Sequence, residues 1–408
     1  MDAAALDAAA AAESMGERFP RASVPIHRSA RGHAEATAAW LSRSTVPLAV
    51  SSRFLVNSWA SLPGAADDDV LARLRQHDDR QFGAAFLELY LFAAFARATW
   101  PCERLTGSGK TPDFRVVAQG GPMYVEATTA GPARELTDAE RRKKLLLDDV
   151  NKLSSDGFAL TVAVAAVGRE SLAPGPVRRE LSDWLAGLDP DAVLAAVAAA
   201  PTHAESDEEA GYPVHVTVRE GWDIEWTAHP RSREWRGRQG RLIGSERMPE
   251  VVAVRDEKPL RNALQRKASR YGRLGAPYLV AVGEEPFSPQ GAQDHRTDAL
   301  YGSSAVVVDR QAGRPVRLPD GSWRRGRTWR STRVSGVLFL ADLHPWTALE
   351  TVPELWINPA APLSVPNFLP YWRMQRVEEI AGQGRLRTEP PAMSPASFWL
   401  DKVVNEPG

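Results

Sequence analysis

The chain has 408 residues, of which 43% are hydrophobic and 25% charged, with a formal net charge of −1. That balance fits a soluble globular protein with a large core and does not make the whole molecule an electrostatic magnet for nucleic acid. A single cysteine, Cys102, rules out an internal disulfide and a Cys-rich zinc site. No apolar run approaches the roughly 18 residues of a membrane span. The Met1-Asp2-Ala3 start lacks the basic flank of a secretory signal, so a cytoplasmic location is expected.

In chain order, residues 1–30 read as an Ala-rich tail, and 33–43 and 66–77 as helices within an N-terminal helical segment, 31–80. Asp67, Asp68 and Asp69 suit a helix N-terminus. Residues 82–96 form a helix that is apolar nearly all round and therefore buried, with Glu88 as its one charge. A carboxylate there costs several kcal/mol unless paired, metal-bound or protonated. The alternatives to a metal are a carboxylate that snorkels to a rim or pairs with an arginine.

A tight hairpin follows. Thr111-Pro112-Asp113-Phe114-Arg115-Val116-Val117 gives the first strand, and Gly120-Gly121 the turn. The second strand is Tyr124-Val125-Glu126-Ala127-Thr128. Proline lacks an N–H and suits a strand start. Tyr124, Glu126 and Thr128 share one face by alternation. Asp113 and Glu126 are acids on neighbouring strands, which repel each other unless a cation lies between them. Hard divalent cations take such oxygen ligands.

Residues 135–154 read as a charged helix, 158–167 as a buried strand, 176–187 and 189–200 as helices, and 202–211 as an acidic loop. Residues 215–219 and 222–228 pair as a hairpin in this reading. Leu260–Leu274 reads as a basic helix with Lys267 and Tyr271 on one face, ahead of the strand 277–282. A strand at 334–340 precedes a Pro-rich run expected to wrap the surface.

Two arginine-rich strips stand out, 231–247 beside Trp235 and 310–333 with eight arginines and one acid, Asp320. Arg324, Arg325, Arg327, Arg330, Trp323 and Tyr271 are the candidate nucleic-acid contacts, since guanidinium groups bind phosphates and aromatics stack on bases. An ordinary solvated surface accounts equally well for either strip alone.

The acid-bearing helix, the Pro-Asp hairpin and the second-strand acid together resemble the restriction-endonuclease-like PD-(D/E)xK nuclease superfamily. The resemblance covers residues 82–129 and 257–283. It implies an α/β fold with an αβββαβ core, a mixed central sheet flanked by helices, spanning 81–310 with an insertion at about 131–255 and an irregular C-terminal extension, 311–408. It further implies a Mg²⁺- or Mn²⁺-dependent nuclease acting on DNA, or on RNA. Asp113, Glu126, Glu88 and the Ala127 backbone would hold the metal.

The family's lysine is replaced here by Thr128. Lys267 is the first candidate to take its place, with Lys110 and Lys143 behind it. The family context is that of a defence effector or a repair or restriction subunit with a protein partner. The alternatives are an inactive nuclease fold that only binds, and a subunit that cuts only with its partner.

The other chemistries are weaker. Gly107-Ser108-Gly109-Lys110-Thr111 resembles the end of a phosphate-binding loop but leads through Pro112 into a strand, where such a loop needs a helix. Cys102 reads as packing.

Overall fold

The structure, a computed structural model, describes residues 31–105, 111–131, 134–201, 206–238, 240–247, 257–284, 292–309, 312–326, 328–380 and 383–401. The N-terminal helices are α1 (Thr37–Arg43), α2 (Pro47–Ala60), α3 (Asp68–Arg75) and α4 (Asp79–Arg97). Asp67 caps α3 by accepting from the Val70 N–H at 2.9 Å, as its position suggests. Asp78 does the same for α4, accepting from Arg80 at 2.8 Å. From Ala85 to Phe95 every residue of α4 is buried, closed in by other helices and the sheet, with Phe86, Leu89, Tyr90 and Phe95 fully so.

The strands that follow are β1 (Cys102–Arg104), β2 (Phe114–Ala118) and β3 (Gly121–Ala130). The β2–β3 turn is two residues long, and Gly121 has φ 122°, which only glycine adopts without strain. The Pro-rich run lies across this turn: a Cβ at Gly120 would stand 2.8 Å from Pro366.

Next come α5 (Arg134–Val150), β4 (Phe158–Ala166), α6 (Pro174–Ala186), α7 (Pro190–Ala199), β5 (Val214–Arg219), β6 (Trp222–Pro230) and β7 (Ile243–Arg247). These four strands form a separate sheet in the order β5-β6-β4-β7. Its alternating apolar face (Phe158, Leu160, Val162, Trp222, Ile224, Trp226) packs with Leu147, Val177 and Leu181 into a core of its own.

The chain then returns to the first sheet through α8 (Glu257–Ala268) and β8 (Tyr278–Glu284). The rest comprises α9 (Ala292–Tyr301), β9 (Ser304–Asp309), β10 (Ala312–Arg317), β11 (Arg324–Arg325), β12 (Thr328–Trp329), β13 (Gly336–Ala341), β14 (Glu354–Ile357), β15 (Arg373–Ile380), β16 (Gln383–Glu389) and α10 (Pro395–Leu400).

The main sheet has eight strands in the order β1-β2-β3-β8-β13-β14-β15-β16. It is mixed: β1, β2 and β3 pair antiparallel in succession, and β3, β8 and β13 run parallel. Parallel neighbours need long crossovers, and here the whole stretch from 131 to 277 makes the one from β3 to β8. One face carries α4; the other carries α8 and α9. The protein is thus α/β, with a mixed sheet flanked by helices. Among the described residues no helix is long and apolar enough to cross a membrane.

Several elements differ from the sequence reading. The C-terminal part is no mere extension, because β13 to β16 supply half of the main sheet. The sequence reading finds β13; β14 is only four residues long, and β15 and β16 are largely polar, which hides their membership. Helices α2 and α9 and the hairpin β15–β16 are additions to that reading, and α8 stops at Ala268 where the basic pattern extends to Leu274. Cys102 is a packed residue; burial pushes its thiol up to about 12, so it is no nucleophile at neutral pH.

Candidate active site

The site forms where β2 begins. The β2–β3 ladder ends at the pair Phe114–Val125, and Pro112, two residues before it, has no N–H with which to extend it. The Ala127 N–H donates to Asp113 Oδ2 at 2.7 Å. The N–H and C=O of a strand residue point to the same side, so the Ala127 carbonyl opens toward Asp113.

Glu126, one residue earlier, lies on the opposite face from Val125 and Ala127 and is only 1% exposed. That face looks toward α8. Lys267 Nζ donates to Glu126 Oε1, and Arg270 Nη1 stands 3.4 Å from the same oxygen. The Tyr271 hydroxyl lies within reach of Glu126 Oε2 and of the Thr111 carbonyl, at 2.8 Å from the latter. One hydroxyl proton serves either acceptor, so Tyr271 ties the entry to β2 to the acid on β3. Tyr278 meets the Tyr271 ring edge-on at 5.6 Å.

The electrostatics are uneven. Burial pushes the Asp113 carboxyl up to about 7, with the neighbouring charges of Glu126 and then Glu88 adding to the shift. The Ala127 N–H and Lys267 pull the other way without cancelling it. Burial, then the bond to Glu126, also raises the Tyr271 hydroxyl, so it stays a donor. Burial raises Tyr278 as well. At neutral pH Asp113 is therefore balanced between its two forms, beside an acid held by a lysine.

Asp113, Glu126, Lys267 and the Ala127 backbone, four groups read from the sequence, come together. The fifth, Glu88, does not join them as a ligand. Its carboxylate is clamped by Arg73 at 2.8 Å and Arg104 at 2.6 Å, both largely buried. The physical reason is the apolar helix around it, where a buried carboxylate demands cationic partners. Among the described residues no group of three or more His, Cys, Asp or Glu side chains that could hold a metal converges.

Lys143 pairs with Glu140 and Glu246 at the second sheet, and Lys110 with its glycine-rich neighbours lies outside the described residues.

The expected nucleic-acid contacts divide. Tyr271 and Trp323 are 4% and 1% exposed, so neither ring offers a face to a base; Trp323 packs with Tyr301 and Trp356 in the core. Arg324, Arg325 and Arg330 are exposed, and Arg327 lies outside the described residues. Sequence reasoning missed Arg270 as a neighbour of Glu126, although it follows Lys267 by three positions, one helical turn. It also missed Arg73 and Arg104. The buried charge announced that partners exist, but no local spacing says which.

In comparisons with protein-family models, with curated proteins and with solved structures, none matches this chain.

Proposed function

We propose that the protein is a metal-dependent nuclease of the restriction-endonuclease-like kind, hydrolysing phosphodiester bonds in DNA or RNA. One observation carries the reading. Lys267 arrives from a helix distant in sequence and places its ammonium on Glu126, the acid beside which the family's lysine is missing. The chain order of α4, β1, β2, β3, α8 and β8, with those four strands adjacent in the sheet, supports it.

In this reading Asp113, Glu126 and the Ala127 carbonyl hold Mg²⁺ or Mn²⁺, whose oxygen preference matches that donor set. The metal would lower the pKa of a bound water and neutralise charge on the phosphate. Lys267 would hold the attacking water or a phosphate oxygen beside Glu126. Arg270, half-exposed and only loosely engaged, would meet a second phosphate oxygen. Tyr271 fixes the Glu126 carboxylate from the buried side.

The arginine clamp on Glu88 favours a second reading, a nuclease fold that binds without cutting. Incubation of labelled single-stranded and duplex DNA and RNA with Mn²⁺ or Mg²⁺ separates the two. The nuclease reading predicts cleavage that EDTA stops and Asp113→Ala removes. Equal, metal-independent behaviour of wild type and Asp113→Ala supports the binder.

A further inference from the structure

The two arginine-rich stretches differ in how most of their described arginines are used, although each also holds an exposed tryptophan with an arginine over its ring, Trp235 with Arg238 and Trp329 with Arg324, and Arg317 of the second pairs with Asp298. In the first, Arg231 donates to the carbonyls of Phe158 and Arg241, Arg236 pairs with Asp191, and Arg247 pairs with Asp207 and Glu225. These guanidinium groups are internal fastenings. In the second, Arg325 and Arg330 are exposed and, among the described residues, face no carboxylate. Among the described residues Arg324 reaches only the Gly326 carbonyl, and it lies over the Trp329 ring at 5.6 Å. In a chain of net charge −1, unneutralised arginines gathered on one hairpin mark a surface kept for an external anion.

The residues that flank that hairpin pack against α8, the helix that faces Glu126. Leu264 and Ala268 of α8 share a small apolar interface with Trp323, Ser331 and Val334. Arg333 donates to the carbonyl of Tyr271 at 2.7 Å, the residue whose hydroxyl holds Glu126. Arg270, next to Tyr271 in the chain, is 46% exposed. Trp329 stands out among these charges with 37% of its surface open, braced edge-on by Tyr301. The apolar partner of the hairpin, Trp323, is buried, so Trp329 is not needed to anchor it.

We infer that the β11–β12 hairpin is a docking strip for a nucleic-acid strand with unpaired bases. Arg325, Arg330 and Arg270 take successive phosphates, and the Trp329 ring takes a base beside them. Arginines alone would fit any polyphosphate backbone, but an exposed tryptophan in the same strip selects for bases free to stack. The inference rests on the nuclease reading for the direction of the strand, toward Asp113 and Glu126.

The test is fluorescence anisotropy of the full chain in EDTA with labelled single strands of about 20 nucleotides, longer than a typical single-strand site, and the matching duplex, across a salt series. Trp329→Ala should weaken single-strand binding roughly five- to hundred-fold and leave duplex binding nearly unchanged. The double variant Arg325→Glu/Arg330→Glu should flatten the log–log salt slope by about 1.4, two phosphates at roughly 0.7 each. The double variant Arg233→Glu/Arg238→Glu, on the other arginine stretch, serves as the control for bulk charge. Because all these side chains are exposed, circular dichroism should show folded variants.

The strip is overturned if the Trp329 and hairpin variants bind as wild type does. Equal loss in the control, or a Trp329→Ala loss that is the same on duplex, overturns it as well. Binding is read without metal, so a chain that fails to cleave still tests the strip. Metal-dependent cleavage with unaltered KM in the hairpin variants would sink the strip and leave the nuclease reading standing.

Discussion

The main sheet buries carboxylate pairs in two places and treats them differently. Near its middle, Glu284 at the end of β8 and Glu354 on β14 share Arg296, whose Nε lies 3.0 Å from Glu284 and whose Nη1 lies 3.3 Å from Glu354. All three side chains are nine-tenths or more buried, and Arg373 adds a second cation 3.6 Å from Glu354. At the mouth of β2, Lys267 and, more loosely, Arg270 serve Glu126, and among the described residues Asp113 is left with one backbone N–H. The first pair is a finished structural joint. In the second the cations lie on Glu126, and burial, then the charge of Glu126, pushes Asp113 up to about 7. A fold that supplies Arg296 to one acid pair and two arginines to Glu88 gives Asp113, among the described residues, one backbone N–H and no cation of its own.

Breaking the structural joint should have the largest effect on stability. Arg296→Ala removes the cation shared by two buried carboxylates and should cost about 3–5 kcal/mol in urea denaturation. At the candidate site the sign reverses. Asp113 has a folded pKa above its ordinary value of 3.8, so its contribution to stability is fully present below about pH 4 and is lost as the pH rises through about 7. Asp113→Asn should therefore stabilise the metal-free protein at pH 8, by up to about 4 kcal/mol at 1.36 kcal/mol per pKa unit. The advantage should shrink toward pH 4. Denaturation midpoints at the two pH values check this, and a variant that is destabilised at both contradicts it.

A smaller effect separates the lysine from the acids. Lys267→Ala should slow cleavage roughly 10–100-fold while leaving the metal requirement intact. Thr128 lies on the same strand face as Glu126, so adding Thr128→Lys to that variant should restore part of the rate. Single-turnover rates decide. An undiminished rate in Lys267→Ala shows that the lysine plays no part in the chemistry.

The parts legible in the sequence were those whose signal is local. Alternation placed Glu126 and Thr128 on one face, the proline marked the start of β2, and the all-round apolar pattern marked α4 as buried. Lys267 and Tyr271 were legible as a helix face, though their partner, Glu126, is 141 residues from Lys267 in the chain. What failed depended on distant contacts. Glu88 reads as a metal ligand or as an ion-paired residue from the same helix, and only the arrival of Arg73 and Arg104 chooses between them. Trp323 and Trp329 sit among the same arginines, yet packing against Tyr301 and Trp356 buries one and leaves the other open. Strand β14 is only four residues long and β15 is largely polar, so their place in the sheet comes from their neighbours and not from their own pattern.

The central claim is that Asp113 and Glu126 are short of a cation and take a divalent one. Calorimetric titration of Mn²⁺ into the metal-free protein at pH 6 and pH 8 tests it most directly. The account predicts saturable binding that tightens from pH 6 to pH 8, as protons leave Asp113, and that disappears in Asp113→Asn. Binding that is absent from the wild type, or identical in wild type and Asp113→Asn, contradicts it.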